Sequence, residues 1–331
     1  MRFHRRFLFP CALAFSLSAA GVNCGWAQTQ APPPSSNDRI RTETTEVIVP
    51  VTVTDPTGEL VLDLSPTDFH VFDDGVEQRF DQWDLGGDPL AVALVLETSS
   101  RPHAMIPEVH SLGSIFTETV MALDGEAAVI TYNSTVEVPQ PFTQDHDAVE
   151  NAIANATFDD PRRKLYDAMA RAVDMLKGES MRRRILLIVG ESRDDGSKAN
   201  FGQIVRDAEH ANISIYAIGP SSMARDLIQD GPDLWAAPAI FLLQQGMNRR
   251  KNHDLEVAAV ATGGVHYSTL RAATLRDALD KIGGELHAQY IIGYRPSSDR
   301  PVGFHAIAVS VTRPNVFVRA RPGYYVAQAA N

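Results

Sequence analysis

The alternation of apolar and polar residues divides this chain into two kinds of segment. From Thr44 to about residue 88, and again over 304–326, β-branched and aromatic residues alternate with polar ones, and turn sequences such as Asp55-Pro-Thr-Gly58 interrupt them. Such alternation is typical of antiparallel strands that bury one face. We therefore expect the two ends of the chain to pair into one β-sandwich, with a hairpin turn at 312–315.

Between these ends the pattern changes to short, continuous apolar runs. The runs lie at 90–96, 126–132, 184–190 and 213–219, and amphipathic stretches predict helices near 105–122, 146–155, 164–177 and 200–211. Apolar runs separated by helices are typical of a parallel sheet that is covered on both faces. The predicted fold class is α/β: a doubly wound, mostly parallel sheet over 89–297, inserted in a β-sandwich made from 44–88 and 298–327.

The N-terminus has the features of an export signal. Three arginines precede an apolar stretch over 7–20, and Gly25-Trp26-Ala27 supplies the small residues of a cleavage site. We expect residues 1–27 to be a signal peptide cleaved near Ala27, and the Pro/Ser-rich segment 28–43 to be a disordered linker. The apolar stretch is shorter than the roughly 20 residues of a membrane span, so we expect a secreted or periplasmic protein without stable membrane insertion.

Cysteine content and charge exclude several classes of function. Both cysteines, Cys11 and Cys24, lie in the predicted signal peptide, so the mature chain would have no disulfide, thiolate metal site or cysteine nucleophile. Loss of the three signal arginines would change the formal net charge from −11 to −14. Binding to a phosphate backbone draws its affinity from Lys and Arg, so we expect no nucleic-acid partner.

Polar side chains gather at three points where predicted elements begin or end. LETSSRP (96–102) follows the first apolar run, PRRKLYDAM (161–169) opens a helix, and GESRDDGS (190–197) follows the third run. Doubly wound sheets bind ligands at the carboxyl ends of their strands. We therefore expect these loops to converge on one crevice.

These three loops, in this order, resemble those of a von Willebrand factor A domain, and specifically the VWFA-related family of Acidobacteria. The phrases DFHVFDDGVEQRF, LYDAM, ATGG and YIIGYRP add to the resemblance, which covers roughly residues 44–326. In metal-competent members of the family, an Asp-x-Ser-x-Ser motif, a Thr and a final Asp hold Mg²⁺ or another hard cation, and an acidic residue of the partner completes its shell. Such ions take oxygen ligands.

This chain departs from the family pattern at four of the five positions. Ser99 is kept, but the other positions hold Glu97, Arg101, Arg163 and Glu191. A guanidinium repels a divalent ion and binds carboxylates instead. Our hypothesis is that Arg101 and Arg163 replace the metal by pairing with Glu97 and Glu191, so no metal cofactor is needed. Two alternatives remain: both arginines extend into solvent, or Glu97, Ser99 and Glu191 retain a Mg²⁺ or Ca²⁺ ion.

A catalytic interpretation is weaker. Gly190-Glu-Ser192-Arg-Asp194 partly matches the nucleophile elbow G-x-S-x-G, and His253, His266 and His287 could serve as bases. Asp194 replaces the second glycine, however, and no oxyanion segment precedes the motif, so we expect no enzyme.

The predicted function is a secreted, non-enzymatic protein-interaction or adhesion module with a degenerate metal-ion-dependent adhesion site. An acidic group of an unidentified partner protein would bind at Glu97, Ser99, Arg101, Arg163 and Glu191. A structural envelope protein remains the alternative. The insertion over 220–252 contains Trp235, Phe241 and Leu242, which predict either a partner-binding surface or a short helix folded onto the sheet.

Overall fold

A computed structural model of the chain describes residues 46–100, 109–110, 112–181, 183–219, 253–268, 273–297 and 300–326. The predicted signal peptide and linker, Arg101, and the insertion over 220–252 lie outside the described residues, so the statements about them stay predictions. Within the described residues, no helix is long and apolar enough to span a membrane.

The described residues form strands and helices with the following bounds. The strands are β1 (Val47–Thr54), β2 (Phe69–Asp73), β3 (Val76–Gln78), β4 (Gln82–Leu85), β5 (Leu90–Glu97), β6 (Glu126–Tyr132), β7 (Val136–Thr143), β8 (Arg183–Val189), β9 (Ile213–Gly219), β10 (His266–Ser268), β11 (Tyr290–Tyr294), β12 (Gly303–Val311), β13 (Phe317–Ala320) and β14 (Gly323–Val326). The longer helices are α1 (His146–Ala154), α2 (Leu165–Lys177), α3 (Phe201–His210), α4 (Asp254–Thr262) and α5 (Ala273–Leu286).

The central sheet has six strands in the order β10-β9-β8-β5-β6-β7, and all of them are parallel except β7. Its inner strands, such as β5, are buried along their whole length because helices cover both faces. The four predicted apolar runs became β5, β6, β8 and β9 with shifts of at most one residue at either end. The predicted α/β fold, with a doubly wound and mostly parallel sheet, is confirmed.

The predicted helices also formed, with one difference. Asp145 and Asn200 begin α1 and α3 as N-caps, since their side chains accept a backbone N–H at 3.2 Å three residues later. Of the first predicted helix, over 105–122, the structure describes 109–110 and 112–122, which contain two helical residues at 109–110, a short α-helical turn at Gly113–Ile115 and a π-helix over Phe116–Met121. Apolar periodicity cannot distinguish these helical forms.

Two four-stranded sheets form a β-sandwich beside the α/β part. Their orders are β13-β1-β11-β4 and β14-β12-β2-β3, so strands from both ends of the chain pair in each sheet. Their inner faces share a core built from alternate residues of the strands, including Val49, Val71 and Ile292. The pairing of the two chain ends follows the expectation from their alternating patterns.

Two details of the sandwich differ from expectation. β11 lies within the range 89–297 predicted for the α/β part, yet it pairs with β1 and β4 in the sandwich. The predicted hairpin at 312–315 is wrong, because β12 and β13 belong to different sheets. Asn315 does adopt the left-handed backbone of a turn, with φ 55°, but the chain crosses from one sheet to the other there.

Two arginines, one half-buried and one buried, join the sandwich to the α/β part. Arg319, in β13, donates to the carbonyl of Gly263 at 2.8 Å and pairs with Glu285 of α5. Arg321 donates to the carbonyl of Glu209, at the end of α3, at 2.9 Å. Hydrogen bonds from a charged donor are strong, so these contacts hold the sandwich against the end of the α/β part that is opposite the three loops.

Candidate functional site

The three loops predicted to converge do meet at the carboxyl ends of β5, β6 and β8. The Ser100 N–H donates to the Asp160 carbonyl at 3.0 Å, and the Asp195 N–H donates to the Arg163 carbonyl at 2.7 Å. The Thr98 N–H joins this edge to β6 through the Tyr132 carbonyl, at 2.8 Å. Backbone hydrogen bonds, rather than side chains alone, therefore fix the shape of the crevice.

Glu97 lies at the floor of this crevice with both carboxylate oxygens occupied. The Ser99 hydroxyl donates to Oε1, and the Glu191 backbone N–H donates to Oε2 at 2.6 Å. Burial raises the pKa of Glu97 to about 7, although the Ser99 and Glu191 hydrogen bonds and the charge of Arg163 act in the opposite direction. Around neutral pH this carboxyl therefore exists in both charge states.

Arg163 is buried among three carboxylates, and its side chain is only 3% exposed. Its Nη1 pairs with Glu191 Oε2, and its Nε lies 3.3 Å from Asp195 Oδ2 and 3.8 Å from Glu97 Oε1. Burial by itself would lower the pKa of this guanidinium, but the surrounding carboxylates raise it above its usual value. The alternative in which Arg163 extends into solvent is therefore wrong.

Asp195 is a member of the cluster that the sequence analysis did not identify. It lies between two guanidiniums, since its other oxygen accepts a hydrogen bond from Arg193 Nε at 3.2 Å. The residue belongs to an Asp- and Gly-rich turn, and such turns are so common that the pattern alone does not indicate an ion pair. Three carboxylates thus face Arg163 and Arg193, which leaves one negative charge when Glu97 is ionised and none when it is protonated.

Gly190 makes room for the long side chain of Glu97. A Cβ atom at this position would lie 2.8 Å from Glu97 Cβ and 2.4 Å from the hydroxyl oxygen of Tyr132. That hydroxyl is fully buried and has no hydrogen-bond partner among the described residues. Burial, together with the nearby charge of Glu97, raises the pKa of Tyr132 well above its usual value. Glycine is thus required here by close approach.

Ser192, the candidate nucleophile, lies in the interior with its hydroxyl hydrogen-bonded to the backbone. Its side chain is buried, and its hydroxyl accepts the Leu255 N–H at 3.0 Å, near the start of α4. Two of the candidate bases have other contacts: His266 Nδ1 lies 3.3 Å from a carboxylate oxygen of Glu256, and His287 faces the carbonyl of Val120 at 3.2 Å. The Ser192 hydroxyl thus accepts a backbone hydrogen bond from the first turn of α4.

The residues at the Glu97 position do not fit a divalent cation. Glu97 and Glu191 direct oxygens at the Arg163 guanidinium, and Ser99 directs its hydroxyl at Glu97. A second group of possible ligands lies in the sandwich, where one atom each from Asp73, Asp74 and His305 lies within 4.8 Å of the others. Apart from the Asp-Asp-Gly turn, no sequence pattern indicates this group, because Asp73 and His305 meet only through the register of β2 and β12.

Comparison with known proteins agrees with the fold. Residues 119–230 match the family model "von Willebrand factor type A domain", a range that includes Arg163 and Glu191 but not Glu97, Ser99 or Arg101. No curated protein matches the chain.

Similar solved structures include three proteins of low sequence identity. An aerotolerance-related membrane protein from Bacteroides fragilis NCTC 9343 is 11% identical, with a TM-score of 0.43, over 59% of this chain and 99% of that chain. The vWF domain of the type V pili tip protein Mfa5 from Porphyromonas gingivalis is 9% identical, with a TM-score of 0.39, over 60% and 94%. Proximal thread matrix protein 1 from the mussel byssus, with a zinc-occupied MIDAS motif, is 11% identical, with a TM-score of 0.46, over 65% and 49%. Such low identities carry no information about ligands or partners, and what the comparisons show of this chain is that its residues 119–230 match the von Willebrand factor type A domain model.

Proposed function

We propose that this chain is a secreted or periplasmic, non-enzymatic module for protein interaction or adhesion, and that its crevice works without a divalent metal. The observation that carries this proposal is the burial of the Arg163 guanidinium among Glu97, Glu191 and Asp195. The arginine supplies a fixed positive charge to carboxylates that would otherwise repel one another. A charge held by covalent bonds, unlike an ion, is not lost when divalent cations are scarce.

The four predicted residues that the structure describes differ in burial, which indicates different roles. Glu97, Ser99 and Arg163 are 6%, 1% and 2% exposed, so they form a closed floor that positions the loops. The Glu191 side chain is 30% exposed and lies at the rim. We propose that Arg101 contacts the acidic group of the partner.

Arg193 strengthens the same rim. Its side chain is 55% exposed, and its Nε holds Asp195 while that residue also faces Arg163. Exposed ion pairs contribute little to stability, so such a guanidinium can transfer to a partner's carboxylate at small cost. Complementary charges of this kind govern specificity and association rate.

The wider assignment has two supports. The von Willebrand factor type A match and the resemblance to the VWFA-related family of Acidobacteria favour protein binding as the activity. The export signal predicted over residues 1–27 favours a location outside the cytoplasm. The partner is then a protein of the envelope or the surroundings that offers a carboxylate.

Affinity capture from an envelope extract tests the metal-independent binding. The immobilised mature chain should retain the same proteins in Mg²⁺ and in EDTA, and Arg101→Glu and Arg193→Glu should each reduce retention. Arg171→Glu is the matched control, because Arg171 is exposed on α2 and belongs to the helix rather than the rim. Retention that requires Mg²⁺ would favour a residual metal site instead, and retention unaffected by either rim variant would favour a structural role.

Labelling with a fluorophosphonate tests the absence of hydrolase chemistry. We expect no labelling of the folded chain, because Ser192 is buried and bonded to the Leu255 N–H. Labelling that disappears in Ser192→Ala would overturn the non-enzymatic assignment.

A further inference from the structure

The sandwich contains a second group of side chains arranged around a guanidinium. Asp73 ends β2, Asp74 begins the turn after it, and His305 lies in β12. Arg300 Nη1 pairs with Asp73 Oδ1 and lies 3.4 Å from His305 Nδ1 and 4.0 Å from Asp74 Oδ2. A single nitrogen therefore lies within 4.0 Å of one atom from each of three potential metal ligands, of which His305 Nδ1 and Asp74 Oδ2 also contact each other at 2.7 Å.

Arg300 fits this place poorly, in contrast to Arg163 at the crevice. Arg163 uses two of its nitrogens, Nη1 and Nε, on separate carboxylates. Arg300 meets all three ligands through Nη1 alone, and its buried Nε has no hydrogen-bond partner within the described part of the chain. Its guanidinium carbon lies 6.0 Å from the ring centre of Tyr324, at the outer limit of a cation–π contact. A guanidinium that contacts its partners through one nitrogen acts as a point charge. It then makes no use of the planar set of donors that otherwise favours arginine over a metal ion as the partner of carboxylates.

The other atoms of the three ligands are held as they are in metal sites. Asp73 Oδ2 accepts hydrogen bonds from the hydroxyls of Tyr294 and Tyr324, at 2.7 and 3.0 Å. Asp74 Oδ1 accepts the Ala306 N–H at 2.9 Å. His305 Nε2 faces the Pro301 carbonyl at 2.9 Å and therefore carries a hydrogen, so Nδ1 and Asp74 Oδ2, which lie 2.7 Å apart, need a proton or another cation between them. Outer contacts of this kind orient ligands and fix the histidine tautomer.

Charge and access also favour an ion. Two ionised carboxylates are neutralised by one divalent cation, whereas the single Arg300 guanidinium pairs with the buried Asp73 and lies 4.0 Å from Asp74, whose charge it cannot also neutralise. The Asp74 side chain is 50% exposed, so an ion can reach the group from the surface. One imidazole and two carboxylates suit first-row divalent transition ions better than Mg²⁺ or Ca²⁺.

We propose that Asp73, Asp74 and His305 form a binding site for a divalent transition ion of the Zn²⁺ class, which exchanges with the Arg300 guanidinium. Bound there, the ion fastens the β2–β3 turn to β12, the neighbouring strand of the same sheet. Both cysteines of the chain lie in the predicted signal peptide, so the predicted mature form has no disulfide to do this. The site is independent of the crevice, since its ligands belong to a different sheet.

Titration of the untagged mature chain with Co²⁺, followed by its visible absorption, and with Zn²⁺, followed calorimetrically, tests this proposal. We expect saturable binding of one ion by the natural chain, and affinity at least about tenfold lower in Asp74→Asn and in His305→Asn. Arg300→Gln should bind more tightly, because the competing cation is gone.

Two matched controls separate this site from the rest of the molecule. His70→Asn removes an exposed histidine of β2, and Glu97→Gln alters the crevice; both should bind as the natural chain does. Binding by Arg300→Gln alone would overturn the proposal, because it would make the guanidinium the permanent occupant. Absence of binding, or binding unchanged in both ligand variants, would overturn it as well.

Discussion

Replacing Arg163 with methionine tests how the crevice is held together. Methionine keeps much of the aliphatic volume but removes the guanidinium that faces Glu97, Glu191 and Asp195. Removal of one partner from a buried ion pair costs about 3–5 kcal/mol, because a buried charge loses its compensation. For a folded unit of this size, that loss lowers Tm by about 10 °C.

The cost should depend on pH, with a sign that follows from Glu97. The folded-state pKa of this acid is raised to about 7, so its protonated form favours folding below the unfolded-state value, and this contribution is lost as pH rises through 7. Without Arg163 the pKa rises further, because the positive charge that lowers it is absent. Arg163→Met should therefore destabilise the chain more at pH 8 than at pH 5.5.

Denaturant unfolding followed by circular dichroism at both pH values measures this effect. Arg171→Met, on the exposed face of α2, is the control and should change the free energy of unfolding by less than about 0.5 kcal/mol. A loss below about 1 kcal/mol for Arg163→Met at pH 8, or an equal loss at both pH values, would refute a buried ion-pair cluster.

Three further predictions concern buried groups elsewhere. Burial raises the pKa of Glu209 to about 7, so the natural chain loses stability as the pH rises from 4.5 to 8. In Glu209→Gln this loss should be smaller by up to about 3 kcal/mol, and an unchanged dependence of stability on pH in urea unfolding would contradict the prediction. Gly190→Ala should destabilise by about 1–3 kcal/mol through contact with the Tyr132 hydroxyl, and Tyr132→Phe should restore part of that loss; full stability of the alanine variant in thermal melts would contradict the close approach. Arg319→Met should cost about 3–5 kcal/mol by leaving Glu285 buried without its partner, and unchanged calorimetric unfolding would show that this pair does not hold the two parts together.

The strands of the α/β part could be predicted because burial on both faces leaves a continuous apolar run. The same signature is present in β11, YIIGY, which was not among the predicted runs and which lies in the sandwich. An apolar run indicates a buried strand but not the sheet to which the strand belongs. Sheet membership depends on pairing between distant segments. The crossing between β12 and β13 was missed for the same reason, because a turn residue such as Asn315 marks a change of direction and not its destination.

The crevice was predicted in outline because parallel strands place their carboxyl ends at one edge. The sequence indicated that Arg163 would meet Glu97 and Glu191, and the structure brings these residues together. It could not indicate Asp195, whose contact depends on the path of one turn, or the buried position of Ser99. The group formed by Asp73, Asp74 and His305 could not be predicted from the sequence either, because the pairing register of β2 and β12 brings these residues together.

Calorimetric titration with Mg²⁺ tests the central claim most directly. The natural mature chain, first freed of transition ions, should give no saturable heat with Mg²⁺, and its melting temperature should then be the same in Mg²⁺ and EDTA, because we propose that the Arg163 guanidinium takes the place of the cation. The variant Glu97→Asp/Arg101→Ser/Arg163→Thr/Glu191→Asp, which recreates the family's ligand set, should gain binding. Saturable Mg²⁺ binding by the natural chain that is abolished by Glu97→Gln would contradict the account.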